Sequence, residues 1–193
     1  GGAGEGEERR CGDLLERLMS ETPQARAALS QRLSSLRTLR QLWGGGQHAQ
    51  AVQHIAHLCA PPSSDLATLA DFFFAVELRC LSLDCCLALL PALEAMLRPP
   101  LPSEHVVFSA FKALASLGEA FGELIRTTRA CTAGTAGGVD LSREARLAKC
   151  DACQLVFSRV GGRVHGLRRQ FQASSSTVQM LEAYQSQCRR FFL

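Results

Sequence analysis

The chain predicts an all-α fold: a single domain of stacked antiparallel helical hairpins, a helical bundle or array with about six to eight helices. Three observations carry that expectation. Leu and Ala dominate, aromatic residues make up only 6% of the chain and β-branched residues are sparse, a balance that favours helices over strands. Apolar residues recur at intervals of three and four through most of the sequence, the spacing of one helix face. No two alternating segments are joined by hairpin-turn chemistry. With 193 residues, 47% of them hydrophobic, the chain can bury one sizeable core, and a second full domain is not expected.

Gly1 to Arg10 is rich in Gly and Glu. Such a stretch predicts a tail without fixed structure, or the remnant of a linker, so the helical domain is placed over 11–193. A weak helix is expected from Asp13 to Ser20, stopped at Thr22-Pro23, with Pro23 in the first turn of the next. In that next helix Leu29, Leu33, Leu36, Leu39 and Trp43 form an apolar stripe, Arg26 and Arg37 lie on its flank, and Gly44-Gly45-Gly46 ends it. His48 to Cys59 follows as a short helix closed by Pro61-Pro62. Ser63 or Ser64 can cap a third, in which Leu66, Leu69, Ala70, Phe73 and Leu78 are too apolar to face water. Ser82 to Leu97 is rich in Leu, Ala and Cys, and Pro91 in its interior predicts a kink or a break.

Arg98-Pro99-Pro100-Leu101-Pro102 reads as a stiff turn, after which Ser103 and Glu104 open a long helix. Its core face is Val107, Phe111, Leu114, Leu117, Phe121 and Leu124. Cys131 to Gly138 is a Thr/Ala/Gly loop. The following helix can be capped by Asp140 or Ser142, and Glu144 in its first turn suits the positive end of the helix dipole. At about 100° per residue, Leu141, Ala145, Ala148, Ala152 and Leu155 share one side, while Arg143, Arg146, Cys150 and Cys153 gather on the other. The small apolar side is expected to pack, leaving the Arg side for solvent, an acidic surface or a partner. Gly161-Gly162 is expected to interrupt this helix near Val160, and a last helix spans Thr177 to Arg190.

Three stretches together resemble a known family. They are Leu36-Arg37-Thr38-Leu39-Arg40-Gln41-Leu42-Trp43-Gly44, then Leu83-Asp84-Cys85-Cys86-Leu87-Ala88-Leu89-Leu90-Pro91-Ala92-Leu93-Glu94, then the run from Gly138 to Cys153 with its basic stripe and Cys-x-x-Cys. In motif, order and rough spacing, from about Leu29 to Cys153, they are similar to the C-terminal domain of the regulatory, WD-repeat subunit family of katanin, the microtubule-severing ATPase. The resemblance implies a non-catalytic helical domain that heterodimerises with the N-terminal domain of the katanin AAA ATPase subunit and supports microtubule binding and the regulation of severing. It also implies microtubules or tubulin, and microtubule minus-end or spindle-pole proteins, as partners. The implied location is cytoplasmic and cytoskeletal, on microtubules and at the centrosome, spindle pole or basal body. No propeller is present in the sequence, so the chain is expected to be a fragment or a relative without one.

Charge and cysteine usage bear on that expectation independently. The net charge is only +3, yet residues 140–193 carry nine Arg or Lys against four Asp or Glu, a net of +5. Of the 21 basic residues 19 are Arg, the side chain suited to bidentate pairing with carboxylates or phosphates. The alternative function class is therefore a basic helical nucleic-acid-binding or small enzyme domain. Aromatic residues are not interleaved with the Arg run, so nucleic acid is not the expected partner. Nine cysteines, an odd number lying largely in apolar helical patterns with no signal-peptide pattern before them, read as reduced, packed thiols. No apolar run reaches the roughly 18 residues of a membrane span, so no membrane association is expected.

The chemistry-bearing motifs give little support to catalysis. Cys150-x-x-Cys153 lies inside a helix and lacks a second short-range ligand pair, so neither a zinc site nor a thioredoxin-like pair is expected. His48, His54 and His57 sit on a polar helix without a neighbouring carboxylate and read as a solvated face. Gly44-Gly45-Gly46 follows a helix and no Gly-Lys-Ser/Thr occurs, so phosphate cradling is unsupported. No catalytic residue, metal or cofactor is assigned. Two binding surfaces are expected instead. Leu36, Arg37, Leu39, Arg40 and Trp43 form an Arg-flanked apolar stripe with interface composition, assigned to the protein partner. Arg143, Arg146, Lys149, Arg159, Arg163, Arg168 and Arg169 form a basic surface, assigned to microtubules or another acidic partner.

Overall fold

The computed structural model describes residues 4–60, 65–78, 81–98, 103–131, 141–172 and 175–192, with side chains from Thr22 onward. Seven α-helices and no strand occur among them: α1 (Gly4–Gly44), α2 (His48–Cys59), α3 (Leu66–Ala75), α4 (Leu83–Ala95), α5 (Glu104–Ala130), α6 (Leu141–Arg168) and α7 (Ser176–Phe191). The chain divides into two compact units, Gly1–Thr38 and Leu39–Leu193, where one domain over 11–193 was expected.

In the first unit α1 begins at Gly4, inside the stretch where composition predicted a tail, and runs through Pro23 without the expected stop. A proline removes only one hydrogen bond, and good helix formers follow it: Gln24, Ala25, Arg26, Ala27, Ala28 and Leu29. The helix ends where the three glycines stand. Gly46 takes φ +74°, its N–H bonds the Trp43 carbonyl at 3.1 Å, and the Gln47 N–H bonds the Leu42 carbonyl at 2.9 Å. That pair of bonds is the Schellman closure, with glycine at the one position whose backbone is left-handed.

The second unit is built from three helical hairpins, α2/α3, α4/α5 and α6/α7. They stack so that α2, α4 and α6 pack side by side in one layer and α3, α5 and α7 in the other, with α5 touching α3, α4, α6 and α7. Each hairpin leaves an apolar face that only the next can cover, which is why such arrays need several units. The caps are local. The Asp65 carboxylate, not Ser63 or Ser64, which lie outside the described residues, accepts the Thr68 N–H at 3.0 Å to start α3. The Ser82 hydroxyl accepts the Cys85 N–H at 3.2 Å to start α4. Pro91 does not break α4, which continues to Ala95. It sits on an exposed side, where the carbonyl it leaves without a donor can turn to water.

α5 supplies the centre of the core. Val107, Phe111, Leu114 and Leu117 are fully buried and Phe121 nearly so, as its periodicity predicts. Leu124 is 39% exposed, and Ile125 takes the inward place instead. Contact with helices on several sides widens the buried arc beyond a single stripe, so Ala110, Ala113, Gly118 and Gly122 are buried as well. The two glycines allow α7 to come close: a Cβ at Gly122 would lie 2.6 Å from the Phe191 ring. Tyr184 of α7 packs edge-on against Phe111 at 5.2 Å and donates its hydroxyl to the Phe157 carbonyl at 3.2 Å, joining α5, α6 and α7.

Candidate functional site

α6 carries six of the seven residues assigned to the acidic partner, and it is turned over relative to the expectation. Its buried stripe is Cys150, Cys153, Phe157, Val160, Val164 and Leu167. Leu141 is 73% and Leu155 62% exposed, and Ala145 and Ala148 are also at the surface. Nor do Gly161 and Gly162 interrupt it. A Cβ at Gly161 would stand 3.2 Å from the Cys188 sulfur, so the glycine marks close packing on α7 and not a break. The signal for the correct face was present. The Cys stripe continues at steps of three and four for 18 residues, whereas the Leu141 stripe runs into Arg159 and Arg163 on its own side. A reduced cysteine packs as a small hydrophobe, yet the expectation left Cys150 and Cys153 on the side given to the arginines.

The inversion changes what the basic residues do. Lys149 pairs with Asp84 at 2.5 Å and Arg168 with Glu182 at 2.7 Å. Arg159 and Arg163 share the buried carboxylate of Glu94, at 3.2 and 3.4 Å. These pairs stitch α6 to α4 and α7. Arg143 donates to the Cys131 carbonyl at 2.5 Å, which ties the start of α6 to the end of α5. Arg146 and Arg169 form no ion pair among the described residues. The seven cations do not share one side: Lys149, Arg159 and Arg163 meet α4, Arg143 the end of α5 and Arg168 α7.

A second basic cluster was not foreseen. Arg126 and Arg129 at the end of α5 and Arg190 at the end of α7 line a cavity of about 610 Å³ with Asp151, Leu147 and Phe191. Arg129 is held by Asp151 at 2.6 Å and Arg126 by Glu123 at 2.6 Å. The hydrogen bond from Arg126 holds the Glu123 carboxyl below its ordinary value. Arg190 lies over the Phe191 ring at 4.7 Å from its centroid. More than 60 residues separate α5 from Arg190 in sequence, so only the fold brings these groups together.

The stretch assigned to the protein partner is divided between the units. In the first, Leu36 is half-buried and Arg37 exposed. In the second, Leu39 is fully buried and serves the core, Arg40 is exposed, and Trp43 is half-buried with its ring 4.9 Å from His48 and 5.3 Å, edge-on, from Phe72.

The cysteines meet across α4 and α6. The thiol of Cys86 bonds that of Cys153, and that bond together with burial pushes Cys86 well above the ordinary thiol range. Burial likewise raises Cys150. Among the described residues no group of three or more His, Cys, Asp or Glu gathers in a way that could hold a metal ion. No described helix is long and apolar enough to cross a membrane. His54, expected on a solvated face, is half-buried with its Nε2 shut off from water and unpartnered.

Comparison with known proteins agrees with the resemblance read from the three stretches. A katanin p80 WD40 repeat-containing subunit B1 homologue of Arabidopsis thaliana is 25% identical over 171 residues, which is 88% of this chain and 19% of that protein. The chain thus spans about a fifth of the length of that relative. A family model described as the con80 domain of katanin matches residues 22–184, taking in the later part of α1 and nearly all of the helical array. The chain belongs to the katanin con80 domain family.

Proposed function

We propose that this chain is a non-catalytic interaction domain of a katanin regulatory subunit, one that heterodimerises with the N-terminal domain of the katanin AAA ATPase subunit. In that role it supports microtubule binding and the regulation of severing. The observation that carries the reading is the con80 match over residues 22–184, which covers most of the folded chain. Membership and the helical array are consistent with a scaffold that offers surfaces.

Arg40 and Trp43 of the second unit, and Leu36 and Arg37 of the first, are the proposed contacts for the catalytic subunit. Leu39, fully buried in the second unit, anchors the stretch that carries Arg40 and Trp43. A half-buried Trp with an exposed Arg beside it has the composition of an interface hot spot. Microtubules are the proposed target of the α6 surface made by Arg143, Arg146, Lys149, Arg159, Arg163, Arg168 and Arg169. Seven basic side chains along α6 and just past its end suit an acidic polymer. Cytoskeletal location, and contacts with minus-end or spindle-pole proteins, follow from the same reading.

The test is co-purification of the chain with the N-terminal domain of the katanin catalytic subunit, followed by microtubule pelleting of the complex. A stable one-to-one complex that pellets with microtubules is expected. Failure to form any complex at micromolar concentration sinks the proposal.

A further inference from the structure

Two ion pairs fix how α4 and α6 run against each other. Lys149 meets Asp84 at 2.5 Å and, further along both helices, Arg159 meets Glu94 at 3.2 Å. The offset is 65 residues in each pair. A constant offset is the mark of parallel helices in step, here over roughly 15 Å. By that register Cys86 of α4 stands level with Asp151 of α6, between Cys150 and Cys153, which lie one turn apart on the stripe that α6 buries. The thiols of Cys86 and Cys153 accordingly meet. Cys86, Cys150 and Cys153 are all 0% exposed, and Cys85 beside them is half-buried.

Four of the nine cysteines of the chain thus gather at one helix contact. Packing asks only for small side chains at these places. Elsewhere on the same two helices the small residue is alanine, as at Ala92 of α4 and Ala152 of α6. What distinguishes sulfur from a methyl group here is its chemistry.

We propose that Cys86 and Cys153 form a redox-sensitive latch, a dithiol that a peroxide converts to a disulfide tying the second hairpin to the third. A thiolate of the pair attacks the peroxide, the O–O bond breaks, and a sulfenic acid and a hydroxide result. The other thiol then attacks that sulfur: the S–S bond forms, the S–O bond breaks, and the departing hydroxide takes the thiol proton. Two thiols and one hydrogen peroxide give one disulfide and two waters. Cys86 lies in the first turn of α4, which is closed by the Ser82 cap and the exposed pair of Lys149 and Asp84. Both closures are weak, so this turn opens locally and admits a small oxidant while the array stays folded. A link between Cys150 and Cys153 would stay within one helix and restrain little. The link from Cys86 to Cys153 joins two elements and closes a loop of about 67 residues, the long-loop case in which a cross-link restricts the unfolded chain most.

The test treats the full chain with a few equivalents of hydrogen peroxide, blocks the remaining thiols with N-ethylmaleimide after denaturation, and reads the unreduced digest by mass spectrometry. A peptide pair joined through Cys86 and Cys153 is expected, with a Tm at least about 5 °C above that of the reduced chain and reversed by dithiothreitol. Cys153→Ala, compared with itself before and after peroxide, should show no such rise, whereas Cys131→Ser, at an exposed position, should keep it. Free Cys86 and Cys153 once Cys131 has been oxidised, a link between two other cysteines in place of this one, or the expected link with an unchanged Tm, each overturns the proposal. No catalytic subunit or microtubule is involved, so the result is independent of the heterodimer test above.

Discussion

Phe157→Ala and Leu155→Ala form the sharpest test of the fold, because they sit two residues apart on α6 and on opposite sides of it. Phe157 is fully buried, and its ring stacks on Phe192 at 4.5 Å with the planes 2° from parallel. Truncating it removes a core aromatic and leaves a cavity, worth about 3–5 kcal/mol, with the ring pair contributing about 0.5–1.5 kcal/mol of that order. The Phe157 carbonyl keeps its bond from Tyr184, so no polar group is newly orphaned. In a chain of this size each kcal/mol lowers Tm by roughly 2–4 °C, so Phe157→Ala should melt roughly 6–20 °C below the native chain. Leu155, 62% exposed, loses little contact on truncation. Its cost should stay under about 1 kcal/mol. Urea unfolding followed by far-UV circular dichroism measures both, with unchanged m-values certifying that only stability has moved. Comparable losses in the two variants, or the larger loss in Leu155→Ala, would refute the face assigned to α6.

Two glycines of the array should respond in opposite directions. Gly162 is exposed in mid-helix with nothing near a new Cβ, so Gly162→Ala should stabilise by up to about 1 kcal/mol; Gly122→Ala, forced against the Phe191 ring, should destabilise in the same urea titration. Thiol chemistry should report burial. Iodoacetamide footprinting read by mass spectrometry should modify exposed Cys131 ahead of buried Cys86, Cys150, Cys153 and Cys188. Burial pushes Cys59 from 9.0 up to about 11. A thiol raised on folding holds its proton more tightly in the native state, so its contribution to stability is present below pH 9.0 and is lost as pH rises towards 11. Cys59→Ala should flatten that decline in a pH series of melts. For the interaction surfaces, Trp43→Ala should remove binding to the catalytic subunit's N-terminal domain while the chain stays folded, a result checked by calorimetric titration.

How much of this was legible in the sequence depended on what each residue competes with. α5 and the glycine stop after Trp43 were readable because periodicity and backbone geometry speak plainly there: Val107, Phe111 and Leu114 fall on one face, and Gly46 is the residue that a left-handed closure demands. Pro23, Pro91 and Gly161-Gly162 misled for a common reason. Each is a breaker in isolation, but a breaker inside a strongly helical stretch costs only its local penalty, which the neighbouring helix formers outweigh. Gly161 is even required where Cys188 approaches. The face of α6 failed on a different ground: Arg143 and Arg146 fall beside Cys150 and Cys153 at the start of the helix, and the fold buries that side through the cysteines, which it uses as small apolar residues.

The same inversion bears on the binding surfaces. Had the Ala and Leu stripe packed inward, the arginines of α6 would have faced solvent alone. As folded, Lys149, Arg159, Arg163 and Arg168 are drawn to Asp84, Glu94 and Glu182 on neighbouring helices. Sequence alone shows which residues are cations but not which carboxylates lie within 4 Å after folding. The consequence for a microtubule surface is quantitative. Exposed pairs of this kind are worth about 0–1 kcal/mol each, so Lys149 and Arg168 can exchange their partners for an acidic polymer at small cost, whereas Arg159 and Arg163 serve a buried carboxylate that would be stranded if they left. Charge reversal at Arg143 and Arg146 should therefore weaken microtubule pelleting of the heterodimer and flatten its dependence on salt with little change in melting, while Arg159→Glu with Arg163→Glu should unfold the array before it reports on binding. Should pelleting survive reversal of Arg143 and Arg146 unchanged across a salt series, the microtubule contact belongs to another surface of the complex.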